Sequence, residues 1–189
     1  MGTRGAARAV KSQPATHATS EHQPAVVGVV GRSGSGKTSL LEQLIPSVAS
    51  RGLVVGAVKH TSHGFVADRP GKDSHRLYES GAASVALISR AQLATFTRLG
   101  DGSAPEVSLA AALRSLPPGL DVVLVEGFSW EPIARFVLVP EGETPIPEHL
   151  SRGEVLRIVK VLSQPVGGKP EFSRTLIDAL TDEVVRRVS

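Results

Sequence analysis

A chain of 189 residues, 41% hydrophobic and 21% charged, carries enough apolar material for one full core. It contains no cysteine, which excludes disulfides and thiolate metal sites, and charges interrupt every apolar run short of the roughly 18 residues of a membrane span. The net charge of +3 sits partly near the ends, at Arg4, Arg8, Lys11, Arg186 and Arg187, and no basic stripe with interleaved aromatics points to nucleic acid.

In chain order, residues 1–24 hold Gly, Ala, Ser, Thr, Gln and Pro without periodicity. They read as a disordered extension ahead of a domain over 25–189. The cytoplasm is the expected location. The run Ala25-Val26-Val27-Gly28-Val29-Val30 reads as a buried strand. Gly31-Arg32-Ser33-Gly34-Ser35-Gly36-Lys37-Thr38 follows and fits G-x-x-x-x-G-K-[ST], the phosphate-binding P-loop. The glycines let backbone N–H groups curl around an anion without Cβ interference. A helix starting near Gly36 adds its positive dipole end. Lys37 reaches the outer phosphates as a mobile charge, and Thr38 offers a hydroxyl to Mg²⁺. Gly31, Ser33, Gly34, Ser35, Gly36, Lys37, Thr38 and Ser39 are the expected nucleotide-binding set.

Helix one is expected from Lys37 to Ser50, with Leu41, Leu44, Ile45 and Val48 on one face and a kink at Pro46. Residues 53–58 read as a second buried strand. A long polar loop, Lys59 to Ser74, comes next, of a length that usually serves a function. Asp73 or Ser74 caps a short helix to about Ser80. Residues 85–88 and 93–96 read as a hairpin, and Glu106–Leu116 as a helix. Asp121-Val122-Val123-Leu124-Val125-Glu126-Gly127 reads as a central parallel strand that ends on an acid. Ligands of open α/β sheets sit outside strand C-termini, so Glu126 is placed near the phosphates. Residues 135–139 form another strand, Pro140 to Gly153 a loop, 156–162 an edge strand, and Phe172 to Val188 a final amphipathic helix. The fold class is α/β, a three-layer P-loop NTPase fold with a mostly parallel central sheet.

Glu126 and Lys59 are the catalytic candidates. Glu126 reads as a metal-linked or water-orienting acid, against a plain polar strand end. Lys59 reads as a phosphate contact, against a solvated loop lysine. Asp73 either binds Mg²⁺ through water or caps its helix. Thr38, Asp73 and Glu126 are the expected metal set. His60 and His63 lack a third ligand at zinc spacing and read as hydrogen-bonding loop residues. His149 stands alone in a polar loop and carries no signal.

Five stretches together carry a resemblance: Gly31 to Leu41, Val58-Lys59-His60-Thr61, Asp68-Arg69-Pro70-Gly71-Lys72-Asp73-Ser74, Ser80-Gly81-Ala82 and Leu124-Val125-Glu126-Gly127-Phe128. Over about residues 25 to 139 the chain resembles the molybdopterin-guanine dinucleotide biosynthesis adaptor family, MobB. The resemblance implies a GTP-binding, weakly hydrolysing P-loop protein, usually a homodimer. It implies Mg²⁺ as cofactor and a role beside the guanylyltransferase that attaches GMP to molybdopterin. It assigns phosphate and magnesium contacts to Gly34, Gly36, Lys37, Thr38, Asp73 and Glu126. The chain departs from the family at Ser129-Trp130, where a lysine is typical, and at Ser163-Gln164-Pro165, where a Ser-Asp pair is common. Two rivals stand beside this reading. An ATP-dependent enzyme of the dethiobiotin synthetase type shares the P-loop, the lysine after the second strand and the Val-Glu-Gly end, but not the Arg-Pro-Gly-Lys-Asp-Ser loop. A docking module without hydrolysis is the other.

Overall fold

The computed structural model describes residues 23–61, 64–65, 70–99, 108–162 and 169–188. Five strands form one all-parallel sheet: β1 (Ala25–Val30), β2 (Val55–Lys59), β5 (Val122–Glu126), β6 (Ala134–Pro140) and β7 (Val155–Val161). Their order is β2-β5-β1-β6-β7, so β1 is central. Two further strands, β3 (Ser84–Ile88) and β4 (Leu93–Thr97), pair antiparallel as a separate hairpin, as the sequence suggests.

The alternation of side chains along a strand sorts the core into two faces. Val122 and Leu124 of β5 join Val27 and Val29 of β1 in one cluster. Helix α1 (Lys37–Ala49) covers that face with Leu40, Leu41, Leu44 and Val48, and α5 (Arg174–Val185) covers it with Ile177, Leu180 and Val184. Val123 and Val125 point the other way, onto Leu109 of α3 (Leu109–Arg114) and onto Phe128. Helices on both faces of a parallel sheet make the three layers. Each such strand is apolar on both sides, which is why β1 and β5 read as nearly continuous aliphatic runs.

The helix ends show how local chemistry sets boundaries. Ser108 and Ser173 cap α3 and α5, their side chains accepting from the backbone N–H of Ala111 and Leu176. Pro46 sits inside α1, which continues past it to Ala49. At α2 (Asp73–Glu79) the expected cap fails: Lys72 holds the N-cap position without a side-chain cap bond. Asp73 is already the first helical residue and lies 3.7 Å from Arg76.

A second correction concerns Pro140 to Gly153. It is no plain loop: it contains α4 (Pro147–Ser151). Proline at the first helical turn loses no hydrogen bond there, so Pro147 starts this helix and does not forbid it. Several expectations lie outside the described residues: the extension over residues 1–22, the loop positions Ser62, His63, Asp68 and Arg69, the start of the helix at Glu106, and Ser163-Gln164-Pro165.

Candidate functional site

Register builds the site. β2, β5 and β1 run parallel, with Lys59 opposite Glu126 and Glu126 opposite Val29. Three strand ends therefore meet at one edge of the sheet, where the loop between β1 and α1 begins. His60 N–H donates to the Glu126 carbonyl at 2.9 Å, and Gly127 N–H donates to the Val29 carbonyl at 3.2 Å, tying the three ends together. The edge opens into a pocket of about 430 Å³. The phosphate loop lines one side with Gly31, Ser33, Gly34, Lys37 and Thr38. Lys59, His60, Glu126, the Gly127–Trp130 segment and His149 line the rest.

The loop's backbone needs its glycines. Gly34 has φ 75° and Gly36 has φ 84°, a region that L side chains avoid. At Gly36 a Cβ would also stand 2.9 Å from Pro170 Cγ. The left-handed turn at Gly36 is also the N-cap of α1. The Lys37 ammonium folds back and donates to the carbonyls of Gly31 at 3.0 Å and Arg32 at 2.6 Å. Burial pushes its pKa below the ordinary lysine value; the Glu126 carboxylate opposes that shift and the Lys59 ammonium adds to it.

Beside it lies a three-membered polar cluster. Thr38 Oγ1 donates to Glu126 Oε2 at 2.7 Å. Lys59 Nζ lies 3.1 Å from Glu126 Oε1 and 3.0 Å from Thr38 Oγ1. Glu126 is 7% exposed, so its charge is compensated at close range by Lys59 and by the hydroxyl. A hydroxyl and a carboxylate beside a phosphate loop are the hard oxygen donors that Mg²⁺ takes alongside phosphate and water. Among the described residues there is no cluster of three His, Cys, Asp or Glu able to hold a metal without a ligand's help.

Not every expected residue reaches the pocket. Ser35 is 3% exposed, and its Oγ has no hydrogen-bond partner among the described residues. It lies beneath Gly31, where a Cβ would approach it to 2.7 Å. Ser39 lines a separate groove with Glu42, Gln43, Lys169 and Phe172. Asp73 stands outside the pocket on α2, its side chain 97% exposed.

The pocket also contains residues that local patterns passed over. Phe128 has φ 52°, a strained value for a bulky residue. Tertiary packing fixes it: the Phe128 ring lies 5.2 Å from His60 and 5.4 Å from Trp130, and His60 meets Trp130 edge-on at 5.0 Å. Behind this wall Arg135 is fully buried. Its guanidinium donates to the carbonyls of Ser129 at 2.8 Å, Ile133 at 3.1 Å and Glu131. Arg152 adds a bond to the Trp130 carbonyl at 3.3 Å. Two arginines thus hold the backbone from Ser129 to Ile133. His149 is also buried, at 8% exposed, and faces the same pocket from α4. A charged residue opening an aliphatic strand was the available signal for Arg135. No local signal marks His149.

A phosphate loop between the central parallel strand and its helix, faced by an acid from the adjacent strand, defines a P-loop protein of the NTPase fold. Within that class the chain belongs to the MobB family: the family model for molybdopterin guanine dinucleotide synthesis protein B matches residues 26–163. The chain is 42% identical over 118 residues to the molybdopterin-guanine dinucleotide biosynthesis adapter protein of Escherichia coli, covering 62% of this chain and 67% of that one. It is 40% identical over 129 residues to the corresponding protein of Haemophilus influenzae, covering 67% and 70%. A crystal structure of molybdopterin-guanine biosynthesis protein B superposes with a TM-score of 0.62 at 29% identity, covering 86% of this chain and 98% of that one. A MobB homologue from Bacillus stearothermophilus superposes at 0.59 with 28% identity, covering 86% and 99%.

Proposed function

We propose that this protein is a GTP-binding adapter of molybdopterin guanine dinucleotide biosynthesis. It has weak GTPase activity and assists a guanylyltransferase partner in attaching GMP to molybdopterin. Family membership supports the pathway. The observation that carries the nucleotide reading is the bond from Thr38 to Glu126 beside the phosphate loop. That contact brings a hydroxyl from α1 and an acid from β5 to the place where the outer phosphates of a bound nucleotide would sit.

In this reading Lys37 exchanges the carbonyls of Gly31 and Arg32 for phosphoryl oxygens. Thr38 and Glu126 would hold Mg²⁺, which would neutralise phosphate charge when bound. Lys59, released from Glu126, contacts a phosphate. Glu126 orients the attacking water. Glu126→Gln is therefore expected to slow hydrolysis at least about tenfold while changing nucleotide affinity by less than about threefold. Single-turnover kinetics and equilibrium titration read the two separately; equal losses in both would assign Glu126 a structural role.

We also place the protein in the cytoplasm as a homodimer. Among the described residues no helix is long and apolar enough to cross a membrane. Ile88 at 84%, Leu93 at 68% and Leu77 at 59% exposed gather apolar surface on the β3–β4 hairpin and α2. A lone two-stranded hairpin is marginal in water, and a second copy would cover that surface. Sedimentation equilibrium reads the state. The nucleotide reading is tested by calorimetry with GTP, ATP and GMP, each with and without Mg²⁺. Binding of GTP that strengthens with Mg²⁺ and exceeds that of ATP is expected; preference for ATP would favour the small-molecule enzyme class instead.

A further inference from the structure

The phosphate loop is faced by a side chain that the P-loop motif does not contain. His149 sits on α4, the short helix between β6 and β7, and lines the pocket shared by Gly31, Ser33, Gly34 and Lys37. It is 8% exposed, and its backbone N–H donates to the Ile146 carbonyl at 3.0 Å. The chain wraps back onto the loop here: Arg32 pairs with Glu143 at 2.8 Å, three residues past the end of β6 at Pro140. This contact joins the α4 segment to the phosphate loop, and α4 carries His149 into the pocket.

The charges around the imidazole are mostly positive. Arg32 and Lys37 approach from the phosphate loop and α1, Arg135 from β6, and Glu148 from α4 itself. Burial is the main force holding the imidazole in its neutral form, with Arg135 next; Glu148 opposes them, and Lys37 and Arg32 add to them. A polyphosphate would reverse that balance. It brings several negative charges to the cations that now disfavour the imidazolium, and phosphoryl oxygens accept from an N–H.

We propose that His149 is a further anion ligand of this pocket, donating as an imidazolium to phosphoryl oxygens of the bound polyphosphate, so that binding takes up a proton. The inference rests on the nucleotide reading above and adds to it a phosphate contact outside the P-loop motif. The sign follows from the neutral state of the free protein. Protonation accompanies binding, so affinity is highest at acid pH and falls as pH rises through the ordinary histidine range.

The test compares wild type, His149→Gln and His149→Asn, using GTP and inorganic tripolyphosphate as probes. Calorimetry in buffers of different ionisation enthalpy reads the proton count. The ligand's own phosphate titrates in the same range, so the difference between wild type and variant is the quantity of interest. Wild-type affinity is expected to fall about three- to sixfold more than that of either variant between about pH 6 and pH 8, the part of a one-unit rise in the imidazole pKa that falls inside that window. Thermal melting checks that the variants fold. Should both be unstable, a histidine NMR titration of wild type with and without tripolyphosphate decides: one of the six histidines must move upward on binding. Equal pH slopes and proton counts in wild type and variants, or no upward histidine shift, would overturn the proposal. Tripolyphosphate binding with a His149-dependent slope but no nucleoside preference would keep this inference and remove the nucleotide reading. GTP binding with equal slopes would do the reverse. No binding of either probe would overturn both.

Discussion

Lys37→Ala is expected to lower affinity for a nucleoside triphosphate by at least about a hundredfold, on the order of 3 kcal/mol, with the fold intact. The ammonium is a positive charge set at the phosphate loop itself, and charge-assisted bonds to phosphate are worth more than neutral ones. Its present partners are the carbonyls of Gly31 and Arg32, which water can satisfy in its absence. Stability should change little or rise. Burial lowers the pKa of Lys37, so the folded state disfavours its charge. That penalty is in full force below the folded pKa and is relieved only as pH climbs towards the ordinary lysine value. Equilibrium titration with a labelled triphosphate and a denaturant curve read the two effects. Unchanged affinity would place the phosphates elsewhere.

Arg135→Met should produce the largest loss of stability, about 3 kcal/mol, or roughly 6–12 °C in the melting temperature. The volume is nearly conserved, so the effect isolates hydrogen bonding. The carbonyls of Ser129, Glu131 and Ile133 lose their shared donor in a place water reaches poorly. Arg135→Lys should recover only part, because an ammonium cannot span three carbonyls as a planar guanidinium does. The damage should also reach the pocket. Trp130 is the only tryptophan of the chain, so its emission reports directly on the wall formed with Phe128 and His60. A red shift on substitution is expected. A variant that keeps both its melting temperature and its emission would show that the segment is held by packing alone.

Sequence by itself determined the parts whose cause is local. The phosphate loop is eight consecutive residues whose glycine φ values, lysine and hydroxyl act within a few ångströms of their own backbone. The buried strands were legible because a strand covered on both faces must be aliphatic throughout, as Val122 to Val125 are. The resemblance rested on such short stretches between Gly31 and Phe128, and the family model matches residues 26–163.

Tertiary structure decided what depends on register and on chain returning from a distance. Glu126 meets Thr38 across 88 positions of sequence because β5 lies beside β1, and it meets Lys59 because β2 lies beside β5 with the two residues opposite each other. A strand-end acid suggests a neighbourhood but cannot name its partners, since strand order is a global property of the sheet. Arg135 looked like the polar start of a strand; only the bend from Ser129 to Ile133 turned it into a buried clamp. Asp73 shows the opposite case: it begins its helix and stays in solvent, because α2 belongs with the hairpin and not with the strand ends. His149 carries no periodic or motif signal at all. Its burial arises because the connection after β6 folds back over the phosphate loop, a contact made by the Arg32–Glu143 pair and written in no single stretch of the chain.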